Sequence, residues 1–477
     1  MVAALTELPT LHDVVGPNDW SQQFPHPPGR LPLLGDVRAI NVRGPVLSML
    51  DWPGDVWPIV QFRAFRQRFV FVGGAEIAAE LCDESRFQKV LTPGVAALRE
   101  FAGDGLFTAQ TSEPNWRLAH DLLMPGFTKS AMRNYHPLML AAISELFDYW
   151  DRRGDVIDVA PDMTRLTLET ISRAAFGEDL GSFERDTPHR FVSAMIIALK
   201  TGQRIGGLSG LPGSKVLAAG INRANAGHRR YIDTMLDELI AGRRRRGDTG
   251  ETDLLSIMLN ANADRGDAAL DDRNIRFQIL TFLVAGHETT SGALSFALHH
   301  LSRDRELLVR AHAEVDEILG TDPGAEPAFE HVAKFRLLRR IVDETLRLWP
   351  TAPGFSRGPI EPTTVAGRYE MSPGDWAIVH LPKVHRDPSV WPDPLRFDPD
   401  RFLATEVKKR PAHTYKPFGT GERACIGRQF ALHESVLLLA RLLQRYNFEP
   451  DDPDYELSIT ERLTLMPSGL RLRIRRR

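Results

Sequence analysis

The sequence predicts a mainly α-helical protein with a small β portion, folded as a single large domain around one long central helix. Apolar residues recur at helical spacing along most of the 477 residues, and β-type runs are confined to residues 56–73 and 352–381. A helical segment at 271–301 has a middle that is apolar all round, which is typical of a helix buried through a domain.

The first part of the chain is predicted to contain irregular segments and short secondary-structure elements. Residues 1–24 are predicted to form an N-terminal extension. The Pro- and Gly-rich segment 24–35 is predicted to be an extended strap, because these residues oppose a regular helix. After the first β-type runs, helical spacing predicts helices at 75–83, 115–123, 130–149, 162–175, 189–199 and 224–246.

The second half of the chain ends in a predicted helix and a basic segment. A helix at 335–348 is predicted to stop at Trp349, because the residue before a proline disfavours the helical conformation. A Pro- and Asp-rich loop at 386–402 and a last apolar helix at 429–446 follow. Residues 471–477 are predicted to be a basic C-terminal tail, half of it an edge strand and its end frayed.

Composition and charge exclude several classes of protein. The 59 Lys and Arg residues against 62 Asp and Glu residues give a net charge of −3, which argues against a nucleic-acid partner. The two cysteines, Cys82 and Cys425, cannot form a disulfide framework or a Cys-rich zinc site. No apolar run approaches the ~20 residues of a membrane span, and no secretory signal is present. We therefore expect a cytoplasmic protein without a membrane span.

Cys425 is the residue whose surroundings point most directly to chemistry. Glycines at 419, 421 and 427 allow a close backbone approach to another group, and a helix follows at once. A helix N-terminus and the nearby Arg423 favour a thiolate. A buried small hydrophobe and a nucleophile served by His433 are alternatives. Ligation of haem iron accounts better for the three glycines and the arginine.

Four ordered motifs resemble those of the cytochromes P-450. The segment from Phe418 to Gly427 resembles the haem-binding loop of that family. Residues 285–290, 344–347 and 397–402 resemble three further motifs in the family's order. The resemblance implies the cytochrome P-450 fold over residues 25–470, haem b as cofactor, and Cys425 as the axial ligand of its iron. It also places Phe418, Arg423 and Gly427 against the haem.

The motif at 344–347 can also be interpreted from its residues alone. Glu344 and Arg347 are three residues apart on a predicted helix and are therefore neighbours. A solvated surface pair would contribute little to stability. The resemblance implies instead a structural ion network, completed by Arg401, that supports the cysteine loop.

The motif at 285–290 lies in the middle of the predicted central helix. Gly286 weakens a helix locally, and Thr289 can bond backwards to a carbonyl. A packing kink is the alternative to a functional groove. The resemblance implies that Thr289 and Glu288 are the catalytic pair that handles protons for dioxygen activation. It also implies that Ala285 and Gly286 lie beside the haem.

A narrower resemblance is to the haem domain of bacterial self-sufficient fatty-acid hydroxylases, which are fused to a flavin reductase. It rests on residues 82–87, 99–108, 162–170, 285–298, 346–356 and 424–434. It implies haem contacts from Lys89, Trp116 and His120. Arg357 lies where many cytochromes P-450 place a cation and these hydroxylases do not. The implied substrate pocket consists of Phe107, Ala102, Val95, Leu98, Val284, Ala352, Gly354 and Leu463.

The sequence departs from these hydroxylases at the pocket entrance. Gln67 and Phe71 stand where the hydroxylases hold the substrate carboxylate with Arg and Tyr. Strand alternation would point the neighbouring Arg66 and Arg68 to the opposite face. The segment 200–225 is Gly-rich where a charged helix is expected in the access lid.

Three functions therefore remain from the sequence. The first is subterminal hydroxylation of a fatty acid or a fatty-acid-like molecule with dioxygen. The alternatives are tailoring of a secondary metabolite and a non-catalytic haem sensor, against which Glu288 and Thr289 argue. Because the chain shows no Rossmann glycine pattern or flavin domain, electrons from NAD(P)H must arrive through a flavodoxin and reductase or a ferredoxin. Arg423, Arg428 and Lys416 are the predicted basic docking face for that redox partner.

Overall fold

The computed structural model describes residues 24–477 except 42–43, 66, 188, 209–212, 248–249, 251 and 266–268. Most of the predicted extension at 1–24 therefore lies outside the described residues. The helices are α1 (Pro45–Ser48), α2 (Ala75–Glu80), α3 (Pro93–Ala97), α4 (Arg99–Ala102), α5 (Pro114–Leu123), α6 (Lys129–Arg153), α7 (Val159–Phe176), α8 (Arg190–Leu208), α9 (Ser214–Arg246), α10 (Leu254–Arg265), α11 (Asp272–Arg303), α12 (Arg305–Leu319), α13 (Arg336–Leu348), α14 (Leu381–Val384), α15 (Ala404–Lys409) and α16 (Arg428–Arg445).

The strands form small sheets beside this helical body. They are β1 (Ile59–Ala64), β2 (Gln67–Val72), β3 (Phe87–Gln88), β4 (Val156–Asp158), β5 (Gly354–Pro359), β6 (Thr363–Val365), β7 (Tyr369–Met371), β8 (Ala377–His380), β9 (Tyr446–Pro450), β10 (Ser458–Glu461), β11 (Leu465–Ser468) and β12 (Arg471–Arg476). The largest sheet has the order β1-β2-β8-β5-β3, in which β2 and β8 are parallel and the other pairs antiparallel. β10 and β11 form an antiparallel hairpin.

The central helix α11 confirms the expectation from residues 271–301. Its N-cap residue Asp271 accepts a hydrogen bond from the amide of Asn274 at 2.7 Å. The helix crosses the main apolar core and packs closely on α7, where a Cβ on Gly286 would lie only 2.8 Å from the Ile171 side chain. Gly286 therefore serves the helix contact, and α11 continues unbroken through it.

The access-lid segment is more helical than the sequence predicts. α8 extends to Leu208 rather than ending near 199, and α9 begins at Ser214 rather than 224. A Cβ on Gly202 would lie 2.6 Å from the Leu98 side chain, and one on Gly206 would lie 2.9 Å from the Cα of Gly94. The glycines thus lie inside the helix where it approaches the α3 region, a tertiary reason that local propensity does not reveal.

The basic C-terminal segment is also more ordered than expected. Arg471–Arg476 forms the middle strand of the sheet β4-β12-β9, so the expectation of an edge strand with a frayed end is wrong. Its arginines pair with acidic groups across the sheet; the Nη1 of Arg473, for instance, lies 2.8 Å from Asp155. Cross-strand partners hold a run of like charges in regular structure.

Other expectations are confirmed within a few residues. α13 and α16 match the helices predicted at 335–348 and 429–446. The strap at 24–35 carries no helix, and its Phe24 ring stacks on Tyr369 at 4.5 Å. The helices α10 and α12 were not predicted from the sequence. Among the described residues, no helix has the length and apolar character needed to cross a membrane.

Candidate active site

The loop before α16 holds Cys425 in a tightly folded turn. The amide of Cys425 donates to the carbonyl of Phe418 at 2.8 Å. Gly421 has φ +66°, and a Cβ there would collide with the Glu84 carboxylate, so only glycine fits. The Glu84 carboxylate in turn accepts the amide of Glu422 at 3.1 Å. The loop shape is therefore fixed by backbone contacts.

Cys425 has exposed surface, yet many protein atoms surround its sulfur. Burial raises the pKa of the thiol, and the Gly427 amide and the charge of Arg428 lower it by less. The expected preference for a thiolate at the helix N-terminus is therefore outweighed in the protein alone, whereas a coordinated metal deprotonates a thiol outright.

A cavity of about 370 Å³ lies between α11 and the cysteine loop. Ala285, Glu288 and Thr289 line it from α11, and Gly419, Thr420 and Arg423 line it from the loop. All the predicted pocket residues also line it: Val95, Leu98, Ala102, Phe107, Val284, Ala352, Gly354 and Leu463. The walls are mostly apolar, as small-molecule sites usually are.

Three cations meet at one side of this cavity. Lys89 donates to the carbonyl of Phe107, Arg357 donates to that of Thr420 at 3.1 Å, and Arg423 donates to that of Ala109 at 2.8 Å. Burial lowers the pKa of Lys89 well below its ordinary value, and the positive charges of Arg423 and Arg357 lower it further. Burial lowers the pKa of Arg423 to about 10.

These residues fit a haem group. Acidic groups lie near enough to act on Lys89, Arg357 and Arg423, but within the described residues none of the three cations has an ion-pair partner, and the buried Nε of Arg357 has no hydrogen-bond partner there. The two propionates of haem would supply both the missing negative charge and the acceptor. The Cys425 sulfur would then be the ligand of the haem iron. No cluster of three or more metal-binding side chains occurs in the described part of the chain.

Six residues expected at the haem are not among those that line the cavity: Trp116, His120, Gly286, Phe418, Cys425 and Gly427. The Trp116 ring is buried beneath Arg423, whose guanidinium carbon lies 4.5 Å from the ring centre. The His120 ring stacks on Trp116 at 5.2 Å, and its Nδ1 pairs with Asp121 at 3.1 Å. The structure therefore places Trp116 behind the cation cluster.

The predicted pair Glu288 and Thr289 lies on the cavity side of α11. The Thr289 hydroxyl donates to the carbonyl of Ala285 at 2.7 Å, the backward bond that the sequence predicts. The Glu288 side chain is 3% exposed, and neither carboxylate oxygen has a hydrogen-bond partner in the described residues. The Oε1 of Glu288 forms an ion pair with the Nη1 of Arg462 at 3.5 Å.

Arg462 is a residue that the sequence analysis missed. It lies in the turn between β10 and β11, directly before the predicted pocket residue Leu463. Its position beside Leu463 was the one available signal. Thr281 and Val46 also line the cavity without having been predicted, and no sequence pattern singles them out.

Gln67 and Phe71 stand at the positions of the hydroxylases' carboxylate anchor, and neither is a cation. Phe71 lines the cavity with its apolar ring, while Gln67 is buried and does not line it. Arg68 is ion-paired with Asp375, in agreement with a side chain on the other face of the strand. The expectation for Arg66 lies outside the described residues.

The predicted network under the cysteine loop is brought together. Arg347 lies 2.7 Å from Glu344, and the Nε of Arg401 lies 3.5 Å from the same carboxylate. Among the predicted docking residues, Arg423 points inward and cannot meet a partner. Arg428 is exposed and its guanidinium carbon lies 5.7 Å from the Phe418 ring centre.

A helical fold with a glycine-flanked loop cysteine before α16, and with three cations beside an apolar cavity between that loop and α11, is the arrangement of a haem-thiolate protein. A family model described as cytochrome P450 matches residues 25–474, and the chain belongs to this family. A bifunctional cytochrome P-450/NADPH–P-450 reductase from Bacillus cereus is 43% identical over 445 residues, covering 92% of this chain and 41% of the relative.

Two further relatives show the same pattern. A bifunctional cytochrome P-450/NADPH–P-450 reductase 1 from Bacillus subtilis is 41% identical over 93% of this chain and 41% of its own length. A self-sufficient cytochrome P-450 monooxygenase from Exserohilum turcicum is 37% identical over 94% of this chain and 42% of its own length. The chain thus spans about two fifths of the length of the curated relatives it matches.

Proposed function

We propose that the protein is a haem-thiolate monooxygenase that inserts one oxygen atom of dioxygen into a C–H bond of an apolar substrate. The observation that carries this proposal is the cavity between Thr289 and the cysteine loop, with three cations at its side. One dioxygen, two electrons and two protons convert the C–H bond into a hydroxyl group and yield one water. A non-catalytic haem sensor would have no use for Glu288 and Thr289 in that wall.

The roles of the chain's own residues follow from their positions. Bound haem b would supply oxygen activation and electron storage, with Cys425 as its axial thiolate. Lys89, Arg357 and Arg423 hold the propionates by charge. The apolar walls exclude water and orient the substrate, and Thr289 passes protons received from Glu288 into the cavity.

The substrate is subterminally hydroxylated and is a fatty acid or a fatty-acid-like molecule with an apolar chain. The mostly apolar lining of the cavity supports an apolar ligand. Phe71 is apolar and Arg68 is paired with Asp375, so neither of these two described residues binds a substrate carboxylate, which favours a second candidate, tailoring oxidation of a neutral secondary metabolite.

The electrons come from NAD(P)H through a flavin or iron-sulfur partner. The curated relatives named above are described as reductase fusions or as self-sufficient, which supports a flavin reductase as the donor, in the same chain or as a separate protein. The exposed Arg428 at the start of α16, three residues after Cys425, together with Lys416, forms the basic contact for that donor.

Two spectroscopic measurements test the proposal. The carbon monoxide complex of the reduced protein is expected to show thiolate ligation, and Cys425→Ser is expected to abolish it; a wild-type complex without thiolate ligation overturns the proposal. Titration of the ferric protein with dodecanoic acid and dodecan-1-ol then compares a charged and a neutral head group. A shift of the Soret band with the acid supports the fatty-acid substrate, and a shift with the alcohol alone supports the neutral one.

Product analysis separates the enzyme from a sensor. With NADPH and a cytochrome P-450 reductase supplied, the ligand that shifts the Soret band is expected to be hydroxylated. Phe71→Tyr adds a hydroxyl donor at the mouth and is expected to tighten binding of the acid relative to the alcohol. Reduction without any product from a bound ligand would favour the sensor.

A further inference from the structure

Glu288 forms part of the wall between two cavities. Its side chain lines the central cavity of about 370 Å³ and also a second cavity of about 310 Å³ on the other side of α11. The second cavity is bordered by α7, the start of α8 and the β10–β11 hairpin. A buried carboxylate that reaches two cavities can exchange a proton with either one.

Arg462 is the cation that faces this carboxylate. Its Nη1 lies 3.5 Å from the Oε1 of Glu288, and its side chain is 30% exposed, so it joins the buried acid to the outer cavity. With no hydrogen bond to Glu288 from the described residues, this ion pair compensates the buried charge. A buried charge without a partner is strongly unfavourable.

The other titratable groups around the outer cavity do not replace Arg462. From α7, the guanidinium of Arg165 donates to the carbonyls of Ser182 and Asp186, each at 2.6 Å. Burial lowers the pKa of His287 on α11 and of His189 before α8, so both rings are neutral near pH 7.

The turn that carries Arg462 is firmly held. The Glu461 carboxylate accepts the amides of Val46 and Leu47 at 2.7 and 3.1 Å. The amide of Leu465 donates to the carbonyl of Thr351 at 2.9 Å. A Cβ on Gly292 of α11 would lie 2.7 Å from the carbonyl oxygen of Leu465, so hairpin and helix are in direct contact. The turn therefore holds the backbone of Arg462 in a fixed position.

We propose that Arg462 is a positioning residue that holds the Glu288 carboxylate between the cavities, and that the outer cavity is the route by which solvent protons reach it. This inference rests on the proposed function. In each transfer, Glu288 takes one proton from a water of the outer cavity and releases one at the Thr289 hydroxyl. The carboxylate is then unchanged, and bulk solvent restores the proton to the outer cavity.

Two substitutions at Arg462 and one in the cavity wall test this. Arg462→Met removes the charge and keeps the length, while Arg462→Lys keeps the charge. Thr164→Phe fills the outer cavity from α7 without touching the ion pair. Arg475→Met is the matched control, because Arg475 is 70% exposed and pairs with Glu449 on the remote β-sheet.

The variants are compared in turnover with NADPH, a reductase and the ligand that shifts the Soret band, either dodecan-1-ol or dodecanoic acid. The readouts are the product and peroxide formed per NADPH and the solvent deuterium isotope effect. Arg462→Met and Thr164→Phe are expected to lower product per NADPH about tenfold or more, because a misplaced proton donor loses most of its contribution. In these two variants the solvent isotope effect is expected to increase, and ligand binding in the Soret titration is expected to stay constant. Arg462→Lys is expected to recover most of the product. Wild-type coupling in either disrupted variant overturns the proposal.

A readout independent of turnover uses the infrared spectrum of the resting haem-loaded protein. Arg462→Met is expected to show a protonated-carboxyl band that is absent from the wild type and from the double variant with Glu288→Gln. If that band is missing, Arg462 does not hold the carboxylate ionised. If the wild type itself forms no product, the proposed function fails, whereas the infrared comparison still decides the role of Arg462.

Discussion

Arg347 and Glu344 form a fully buried ion pair with two parallel hydrogen bonds of 2.7 Å each. The remaining guanidinium nitrogen Nη1 donates to the carbonyl of His385 at 2.9 Å. His385 accepts the amide of Lys416 on its Nε2 at 3.0 Å, and Lys416 opens the cysteine loop. Burial and the charge of Arg347 lower the pKa of His385 to about 3, so the neutral ring can accept this bond. The pair therefore supports the loop of Cys425 through two steps.

Arg347→Met is expected to lower the free energy of unfolding by about 3–5 kcal/mol, because Glu344 would keep a buried charge with weaker partners. Denaturant unfolding and haem retention measure the effect. Lys409→Met is the matched control, since Lys409 and Glu406 form an exposed pair of the same i,i+3 spacing at 2.8 Å. Equal stability of the two variants would show that burial does not matter here.

Glu434 makes the stability depend on pH. Both carboxylate oxygens are buried, and burial raises the pKa of Glu434 from 4.5 to about 8 despite an opposing, smaller effect of the Thr170 hydroxyl. The folded state therefore binds a proton that the unfolded state releases between these values, so stability falls as pH rises from 4.5 to about 8.

Glu434→Gln is expected to remove this contribution, which amounts to at most about 1.4 kcal/mol per pH unit. Unfolding free energies measured across that pH range test it. Glu406→Gln, at an exposed position, should leave the slope as it is. A slope equal to that of the wild type in Glu434→Gln would contradict the assignment.

Gly206→Ala is expected to push α8 away from α3, because the new Cβ would lie 2.9 Å from the Cα of Gly94. The expected cost is about 1–3 kcal/mol of stability. Ligand binding should weaken as well, since Val95 in α3 lines the cavity. Thermal unfolding and a Soret titration measure both effects.

The control for the lid is Gly220→Ala. Gly220 lies in α9 with no atom within 4 Å of the added Cβ, so alanine should raise helix stability by up to about 1 kcal/mol. Either of two results would argue against close packing of α8 on α3. One is a loss of stability in Gly220→Ala, and the other is wild-type ligand binding by Gly206→Ala.

Arg428→Glu is expected to slow reduction by a flavin reductase about tenfold at low salt and less at high salt, because docking to an acidic partner is steered by charge. Stopped-flow absorbance of the haem under carbon monoxide measures the rate. Arg475→Glu makes the same charge change on the remote β12 and should reduce normally. Unchanged reduction of Arg428→Glu would remove this residue from the docking face.

The sequence predicted the elements whose patterns are local. Each of these patterns involves residues close together in the chain. They are the helical spacing of apolar residues in α11, α13 and α16, the glycines around Cys425, and the i,i+3 spacing of Glu344 and Arg347. The apolar pocket residues were found by resemblance and do line one cavity. The helical lid was missed, because Gly202 and Gly206 lower helix propensity and are tolerated only through contacts with a distant segment.

The fold class, the glycines of the cysteine loop and the adjacent residues Glu288 and Thr289 could be predicted from the sequence, since each depends on positions close together in the chain. The three-dimensional fold was needed to show that Gly286 meets Ile171, that β12 is a central strand, and that Arg462 faces Glu288 across 174 positions of chain. The physical reason is that these contacts depend on packing and charge between segments far apart in sequence, which no local pattern encodes.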